Sequence, residues 1–253
     1  MLGLVPKMTI EYRSPLRLRL DQAALISNYR WLKERSGKAA CGAVIKANGY
    51  GLGAEGVMRH LLNEGCRDFF VATWQEAATV EPLLTDGISL SVFHGVRSED
   101  MEIALASRAR PVLNSPEQIA RWRDAGGGPC DVMIDTGMNR LGVGIDALDK
   151  TLFDGLRIET AMSHLVDAEE DHPLNDVQLM LFRDVTKTIS AHRFSLANSA
   201  GVCRGEEFAF DVTRPGLALY GGKPRPECEL AIEAVVMPQA EILQRRTVRG
   251  GES

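Results

Sequence analysis

The chain has 253 residues, of which 45% are hydrophobic and 25% charged, and its net charge at pH 7 is -5. This length can bury one large core or two small ones, as expected of a globular protein. Neither sign of charge gathers into a block, and no apolar run approaches the roughly 18 residues of a membrane helix. We therefore expect no nucleic-acid partner and no membrane insertion.

The cysteines and the amino terminus indicate a cytoplasmic protein. The five cysteines are odd in number and scattered, without a C-x-x-C pair. This spacing predicts neither a disulfide framework nor a zinc site. The first residues also lack a basic region followed by an apolar stretch, so we expect no secretion signal.

An amphipathic segment and eight strand-like runs follow one another along the chain. Asp21–Glu34 predicts a helix that begins at Asp21 as its capping residue. The eight short β-branched or apolar runs predict strands. They are Cys41–Lys46, Asp68–Ala72, Ile88–Phe93, Arg110–Leu113, Cys130–Asp135, Arg157–Ser163, Arg193–Ala197 and Phe210–Arg214.

Segments with helical periodicity lie between these strands. Ala54–Glu64 is one, and Ser115 followed by Pro116 is typical of a helix start. Pro173–Ser190 predicts the longest helix. Its expected apolar stripe consists of Leu174, Val177, Leu181, Val185 and Ile189.

Eight alternating strand and helix units predict an α/β fold, a (β/α)₈ TIM barrel. An open doubly wound sheet would normally carry a G-x-G-x-x-G turn after its first strand, and this chain has none. We expect the barrel domain to comprise residues 13–225. Leu230–Val248 alternates like β-strands, so residues 226–253 are expected to begin a C-terminal β domain that is incomplete.

Polar residues gather where the predicted strands end, which is where such barrels carry their chemistry. These residues are Lys46, Arg140, His164, Asn198, Ser199 and Arg214. A lysine that closes an apolar strand is partly desolvated, which lowers its pKa and frees a neutral amine to attack an aldehyde. A rim lysine paired with a carboxylate is the alternative.

Two kinds of loop predict a phosphate site. Glycines flank Tyr50, whose hydroxyl can face a phosphate, and Arg214 is followed by Pro215 and then by Gly216 and Leu217. Loops after the last two strands are the usual phosphate site of such barrels. The segment His164–His172 contains two histidines and four acids, but its spacing fits no metal motif, so we expect no metal and an exposed loop with only His164 turned inward.

Five segments, in order and spacing, resemble the signature segments of alanine racemases. They are Ala43–Gly51 (AVIKANGYG), Ile134–Gly142 (IDTGMNRLG), Met162–Leu165 (MSHL), Leu196–Gly201 (LANSAG) and Val212–Gly221 (VTRPGLALYG). The resemblance implies an enzyme that interconverts L- and D-alanine with pyridoxal 5'-phosphate (PLP) as cofactor. It also implies a small amino-acid substrate, a homodimer when full-length, and a supply of D-alanine for peptidoglycan.

The resemblance also implies roles for single residues. Lys46 carries PLP as a Schiff base and is one of two catalytic bases. Arg140 lies near the substrate carboxylate, and His164 lies against the ring and hydrogen-bonds onward to Arg214. Arg214 faces the pyridine nitrogen and leaves it unprotonated, because an arginine does not give up its proton. The remaining cofactor-binding positions are Tyr50, Ser199, Gly216 and Leu217 at the phosphate, with Asn198 beside them.

The chain departs from the family pattern at three positions and, we expect, in one larger respect. Gly49 and Leu52 replace frequent alanine and histidine residues, and Met133 stands where many members have a carbamylated lysine that orients the arginine equivalent to Arg140. The family's second base is a tyrosine of the partner subunit's C-terminal domain, which we expect to be absent from these 253 residues. If these 253 residues are the whole protein, we expect PLP binding with very weak or absent racemisation. If they are a fragment, we expect the parent protein to be a two-domain dimer.

Two other functions remain open from the sequence. A single-domain barrel that binds and delivers PLP would need no second base. A barrel enzyme that uses Lys46 directly on a sugar phosphate would need no PLP, although Arg214 would then have no evident purpose.

Overall fold

The computed structural model describes residues 14–252. Residue 13, where the barrel domain is expected to begin, and Ser253 at the end of the expected second domain lie outside the described residues. The strands are β1 Leu16–Leu20, β2 Ala40–Cys41, β3 Ala43–Val44, β4 Asp68–Val71, β5 Ser89–Val92, β6 Arg110–Leu113, β7 Cys130–Asp135, β8 Val143–Gly144, β9 Ile158–Met162, β10 Arg193–Ser195, β11 Val212–Thr213 and β12 Val236–Ala240.

Helices alternate with these strands. The α-helices are α1 Gln22–Arg35, α2 Ala54–Asn63, α3 Trp74–Val80, α4 Met101–Ala106, α5 Pro116–Asp124, α6 Leu174–Thr188 and α7 Ser199–Arg204. A single turn, Lys46–Tyr50, follows β3. Short 3₁₀ helices span Glu81–Leu83, Ser98–Asp100, Ile145–Ala147, Lys150–Phe153, Glu206–Phe208, Leu217–Tyr220 and Pro226–Cys228.

The parallel strands form a closed (β/α)₈ barrel, as predicted. Seven neighbours run in the order β10-β9-β7-β6-β5-β4-β3, and β11 pairs with β2 on the far side. The amide of Gly42 donates to Thr213 O at 2.9 Å and that of Val44 donates to Pro215 O at 2.9 Å, while Arg214 N donates to Ala197 O at 2.9 Å. Strand β11, the last of the barrel, therefore joins the first barrel strand, formed by β2 and β3, to β10 and the residues that follow it.

The first predicted strand, Cys41–Lys46, is interrupted in the structure. Gly42 separates β2 from β3, and a Cβ at this position would lie 2.8 Å from the Phe70 ring and 3.0 Å from two backbone oxygens. The backbone changes partner here, because β2 pairs with β11 whereas β3 pairs with β4. Three strands approach one another closely here, which explains the glycine.

The predicted helix starts are confirmed. The Asp21 side chain accepts a hydrogen bond from Ala24 N at 3.0 Å and begins α1. Ser115 caps α5, with Pro116 at its first position. Both caps satisfy backbone amides that have no acceptor within their helix.

The predicted apolar stripe of α6 is confirmed at its end, where Val185 and Ile189 are buried, and is wrong at its start. Leu174 and Val177 are exposed, and the buried face instead contains Asn175, Gln178, Leu179, Phe182 and Val185. The polar members have structural tasks that hydropathy does not record. The Asn175 amide donates to the carbonyls of residues 167, 170 and 172, and the Gln178 amide donates to His164 O at 2.9 Å, so both hold the preceding loop.

The amino-terminal end of the barrel is closed by buried ion pairs. Arg193 of β10 reaches across to Asp68 of β4, with its two terminal nitrogens 2.6 and 3.1 Å from the carboxylate oxygens. Burial acts to raise the pKa of Asp68, but hydrogen bonds and charge from Arg193 outweigh it and hold the pKa below its usual value. The Asp131 carboxyl is fully buried beside Arg110, and there burial dominates and raises its pKa.

Residues beyond the barrel lie against α1 and pair with β1. Asn28, buried in α1, donates to Leu219 O at 3.2 Å and Glu233 O at 2.9 Å and accepts from Glu233 N at 2.8 Å. Strand β12 pairs antiparallel with β1, from Leu16↔Ala240 to Leu20↔Val236. Within residues 14–252 no helix combines the length and apolar character needed to cross a bilayer.

Asp68→Asn is expected to destabilise the barrel strongly, because it leaves the largely buried Arg193 cation without its anion. A loss of about 3–5 kcal/mol in the free energy of unfolding is the scale for a broken buried pair. The folded pKa of Asp68 lies below its unfolded value, so its stabilisation is present above the unfolded pKa and is lost as the pH falls through the folded one. Urea denaturation at several pH values measures both effects.

Asp131→Asn is the matched control. Burial already penalises the charged form of Asp131 and raises its pKa, and its contact with Arg110 is longer, at 3.4 Å, so the substitution is expected to cost less, roughly 1 kcal/mol. Equal losses for the two variants would contradict the assignment of the main ion pair to Asp68 and Arg193.

Candidate active site

One cavity of about 390 Å³ opens at the carboxyl ends of the barrel strands. The structure brings all nine predicted site residues to its wall. They are Lys46, Tyr50, Arg140, His164, Asn198, Ser199, Arg214, Gly216 and Leu217. Their individual roles stay predictions, but their convergence from five strand ends onto a single cavity is a property of the fold.

Several other residues line the cavity that the sequence did not single out. They are Val44, Ala72, Phe93, His94, Met138, Leu141 and Glu169. The rule that selected Lys46 also applies to Ala72, Phe93 and His94, which follow directly on β4 and β5. Glu169 corrects the expectation that only His164 of the acidic loop turns inward, since Asn175 and Gln178 draw this loop over the cavity.

Tyr50 is held by Tyr220, in the 3₁₀ helix that follows the last barrel strand. Its ring stacks on Tyr220 with centroids 4.5 Å apart and an interplanar angle of 28°, and the Tyr220 hydroxyl donates to Val44 O at 3.1 Å. Burial raises the pKa of Tyr50, so its hydroxyl remains a proton donor at neutral pH. Tyr220 is a supporting residue that the sequence did not identify, although it lies within the last signature segment.

Hydrogen-bond donors gather where the last two loops meet. The Ser199 hydroxyl accepts from Gly216 N at 2.9 Å and Ala218 N at 3.1 Å. A Cβ on Gly216 would lie 2.4 Å from the Tyr50 hydroxyl and 3.2 Å from Val44 Cβ, so only glycine allows this approach. Leu217 begins a 3₁₀ helix, and its amide has no acceptor within that helix.

Arg214 is the buried cation of the cavity floor. Its guanidinium donates to the Ser195 hydroxyl, to Ser163 O and, at 3.5 Å, to Leu196 O. Burial lowers its pKa to about 10, although the charge of Asp131 acts in the opposite direction. Arg214 therefore keeps its proton at neutral pH, and backbone and hydroxyl oxygens fix its orientation.

The expected hydrogen bond between His164 and Arg214 is not formed in the described part of the chain. The guanidinium donates to the three oxygens named above instead, because the strand ends present them directly to it, and it keeps further N–H donors for a ligand. The two side chains still interact through charge. Burial, and then the positive charges of Arg214, Arg140 and Lys46, lower the pKa of His164 to about 3, so its imidazole is neutral under ordinary conditions.

Arg140 lies in a loop that leaves β7 and returns alongside it. Asp135 Oδ1 accepts from Gly137 N and Met138 N, each at 2.8 Å, and β8 then pairs with β7. The Arg140 side chain forms no hydrogen bond or ion pair with the described side chains, and Met133 packs in an apolar cluster with Val44 and Phe70. Its guanidinium is thus available to a ligand.

Between residues 14 and 252, no three histidine, cysteine, aspartate or glutamate side chains are grouped so as to hold a metal ion. The fold and cavity define an α/β barrel with a lysine at the end of its first strand, two neighbouring arginines, and a cluster of hydrogen-bond donors in its last two loops.

Comparisons with known proteins agree with this class. The family model "Alanine racemase, N-terminal domain" matches residues 20–224. The chain is 40% identical over 245 residues to an alanine racemase of Rhizobium meliloti, covering 93% of this chain and 64% of that protein. It is 38% identical to a catabolic alanine racemase of Mesorhizobium japonicum, covering 92% of this chain and 64% of that protein.

A solved structure gives the same result. The Bartonella henselae alanine racemase with covalently bound pyridoxal phosphate superposes with a TM-score of 0.86 at 33% identity, over 94% of this chain and 70% of that one. The chain belongs to the alanine racemase N-terminal domain family. It spans 64% of the length of the two curated relatives named above.

We expect the His164 imidazole to stay neutral when an unperturbed histidine, with a pKa of about 6.5, would titrate. Its folded pKa lies below the unfolded value, so the stability that the neutral ring contributes is lost as the pH falls from about 6.5 towards 3. Nitrogen-detected NMR of histidine-labelled protein between pH 8 and about 5 measures the charge directly.

His164→Gln identifies the resonance and serves as the control. This variant should also flatten the dependence of unfolding free energy on pH by about 1.4 kcal/mol per pH unit below pH 6. A His164 resonance that titrates with a midpoint near 6 would show that burial and the neighbouring cations do not act as described.

Proposed function

We propose that this chain is the cofactor-binding barrel of an alanine racemase, with PLP held covalently by Lys46. One observation carries the proposal. Closure of the barrel brings the Lys46 amine to the same cavity as Tyr50, Ser199, Gly216 and Leu217. A lysine nucleophile and a phosphate-binding site are the two attachments that this cofactor requires.

The residues present fit the cofactor. Tyr50 and Ser199 supply hydroxyls and Leu217 supplies an amide, which together suit a phosphate group. The Gly216 amide donates to Ser199 Oγ, which leaves the hydroxyl hydrogen of Ser199 for a ligand. The absence of a side chain at Gly216 leaves room that a Cβ would fill against Tyr50. The cavity of about 390 Å³ is within the range of small-molecule sites, and Asn198 extends its polar wall.

When bound, PLP supplies an aldehyde that condenses with amines and a conjugated ring that stabilises negative charge at a substrate α-carbon. Lys46 then has two tasks. Its amine holds the cofactor, and once the substrate amine has replaced it, the free amine removes or returns the α-hydrogen on one face. Lys46 lines the cavity, so it stays beside the reacting carbon throughout.

Arg214 and His164 set the electrostatics of the ring pocket. We assign Arg214 to the pyridine nitrogen: its pKa of about 10 keeps it protonated, so it donates a hydrogen bond there without transferring a proton. The resulting weaker electron sink disfavours transamination and suits simple proton exchange. His164, with its pKa of about 3, contributes a neutral polar wall rather than a third cation.

Arg140 is assigned to the substrate carboxylate. Its exposed guanidinium at the cavity rim can form the bidentate pair that arginine and carboxylate favour. Met133 offers no charge or hydrogen bond to orient it, so here the loop that begins with the Asp135 turn carries that task.

Three further assignments concern the domain boundaries, the second base and the cellular location. We propose that residues 13–225 form the barrel domain and that residues 226–253 begin a β domain, because β12 pairs with β1 and leaves Leu16 and Leu18 exposed on a two-stranded ribbon. We assign the second base, a tyrosine of the partner subunit in a homodimer, to the part of the longer racemases that this chain does not match. Five free cysteines support a cytoplasmic location. The supply of D-alanine for peptidoglycan is proposed from the family alone.

Borohydride reduction of the PLP-loaded protein is expected to abolish the visible absorption band of the cofactor. The reduced cofactor then remains as a covalent label on the peptide containing Lys46. Lys46→Ala should bind PLP only reversibly and keep no label after denaturation, because the covalent attachment is lost. Mass spectrometry of tryptic peptides measures the label. Lys38→Ala, which removes an exposed lysine outside the cavity, is the control and should label normally. Equal labelling of the Lys46→Ala variant would refute the attachment site.

Incubation with alanine in D₂O separates a racemase barrel from a PLP carrier. With Lys46 as one base, the 253-residue chain is expected to exchange the α-hydrogen of one alanine enantiomer while forming the opposite enantiomer far more slowly. NMR of the α-hydrogen and chiral chromatography measure the two rates. Absence of exchange by PLP-loaded protein would favour the carrier, and full racemisation would contradict the assignment of the second base to a further segment.

A further inference from the structure

The turn that follows Lys46 has an uncommon hand. Ala47 (φ 52°, ψ 45°), Asn48 (φ 53°, ψ 49°) and Gly49 (φ 64°, ψ 45°) are all left-handed, and Tyr50 has φ 54°. Residues with side chains normally visit this region singly, because Cβ crowds the next carbonyl oxygen. A run of four therefore persists only where its surroundings hold it.

This turn connects the two residues that anchor opposite ends of the proposed cofactor. Lys46 begins it and Tyr50 ends it, and both line the cavity. Bonds within the segment provide part of the restraint, since Gly49 N donates to Ile45 O at 2.9 Å and Gly51 N donates to Ala47 O at 2.8 Å. The amide of Ala47, directly after Lys46, requires an acceptor from elsewhere.

Glu76 provides that acceptor. Its Oε1 accepts from Ala47 N at 2.6 Å. Its Oε2 accepts from Ala72 N at 2.7 Å and from Thr73 N at 3.3 Å, at the end of β4. The carboxylate thus joins the loop after the first barrel strand to the loop after the second, and bonds from amides to a carboxylate are among the stronger hydrogen bonds in proteins.

Capping of α3 alone does not account for this arrangement. Thr73 Oγ1 accepts from Glu76 N at 3.2 Å, and Glu76 Oε2 accepts from Thr73 N, which completes a capping box. That motif uses one carboxylate oxygen. The other oxygen is directed to Ala47, in a different loop, and does nothing for α3.

We propose that Glu76 is a positioning residue for Lys46: by fixing the Ala47 amide, it sets the left-handed turn and hence the direction from which the Lys46 amine enters the cavity. Glu76 does not line the cavity and takes no part in proton transfer. The inference rests on the proposed function, because it concerns how readily Lys46 reaches a cofactor aldehyde.

The test uses the full chain with Glu76→Ala, Glu76→Gln and Thr73→Ala. Thr73→Ala is the matched control, because it breaks the capping box and keeps both Glu76 oxygens. Hydrogen exchange of the Ala47 amide is measured in protein freed of PLP, and the rate of Lys46 attachment is measured by borohydride trapping after PLP is added. Glu76→Ala is expected to speed exchange of the Ala47 amide and to slow attachment at Lys46, each by about tenfold, as expected for one charge-assisted hydrogen bond. Thr73→Ala should leave both rates near the original.

Glu76→Gln keeps the side-chain length and one acceptor oxygen, so it should give intermediate rates, and it carries the test if Glu76→Ala fails to fold. Unchanged attachment in both Glu76 variants, or equal slowing by Thr73→Ala, would overturn the proposal and reduce Glu76 to a helix cap. If the original chain takes up no PLP, the proposed function fails instead. The Ala47 exchange rates then still decide whether Glu76 holds the turn.

Discussion

Hydrogen bonding between the first and last barrel strands is the constraint on which the site depends. Gly42 N to Thr213 O and Val44 N to Pro215 O, both 2.9 Å, close the ring. Without this seam Lys46 would lie at one edge of an open sheet and Gly216 at the other. Gly42 permits the seam, because a Cβ there would collide with Phe70 and with two backbone oxygens. Covalent and phosphate attachment points can therefore share a cavity.

The two ends of the barrel treat charge in opposite ways. At the amino-terminal end Asp68 and Arg193 neutralise each other across the interior, and the buried Asp131 has a raised pKa. At the carboxyl end Lys46, Arg140 and Arg214 face the cavity with a histidine kept neutral by burial and by their charges. An excess of cations around a mostly buried cavity is unfavourable by itself. An anionic ligand would offset that cost, and the proposed phosphate ester is such a ligand.

Much of this arrangement was predictable, and the failures have physical causes. Strand ends are recognisable from short apolar runs, so Lys46, Arg140, His164, Asn198, Ser199 and Arg214 could be selected from position and side-chain chemistry. Leu217 was selected only because the segment that contains it resembles a family signature. The face of α6 was predictable only in part, because Asn175 and Gln178 are buried to bind loop carbonyls, and hydropathy counts them as exposed. Glu76 carried a visible signal, a Thr-x-x-Glu capping pattern, but nothing local indicates that its second oxygen reaches Ala47.

The central claim is that one cavity holds both ends of PLP, and a crystal structure of the PLP-soaked protein tests it most directly. The account predicts continuous density between Lys46 Nζ and the cofactor aldehyde carbon, with the phosphate against Tyr50, Ser199, the backbone of Gly216 and the amide of Leu217. A cofactor bound elsewhere, or one whose phosphate lies away from the last two loops, would contradict it.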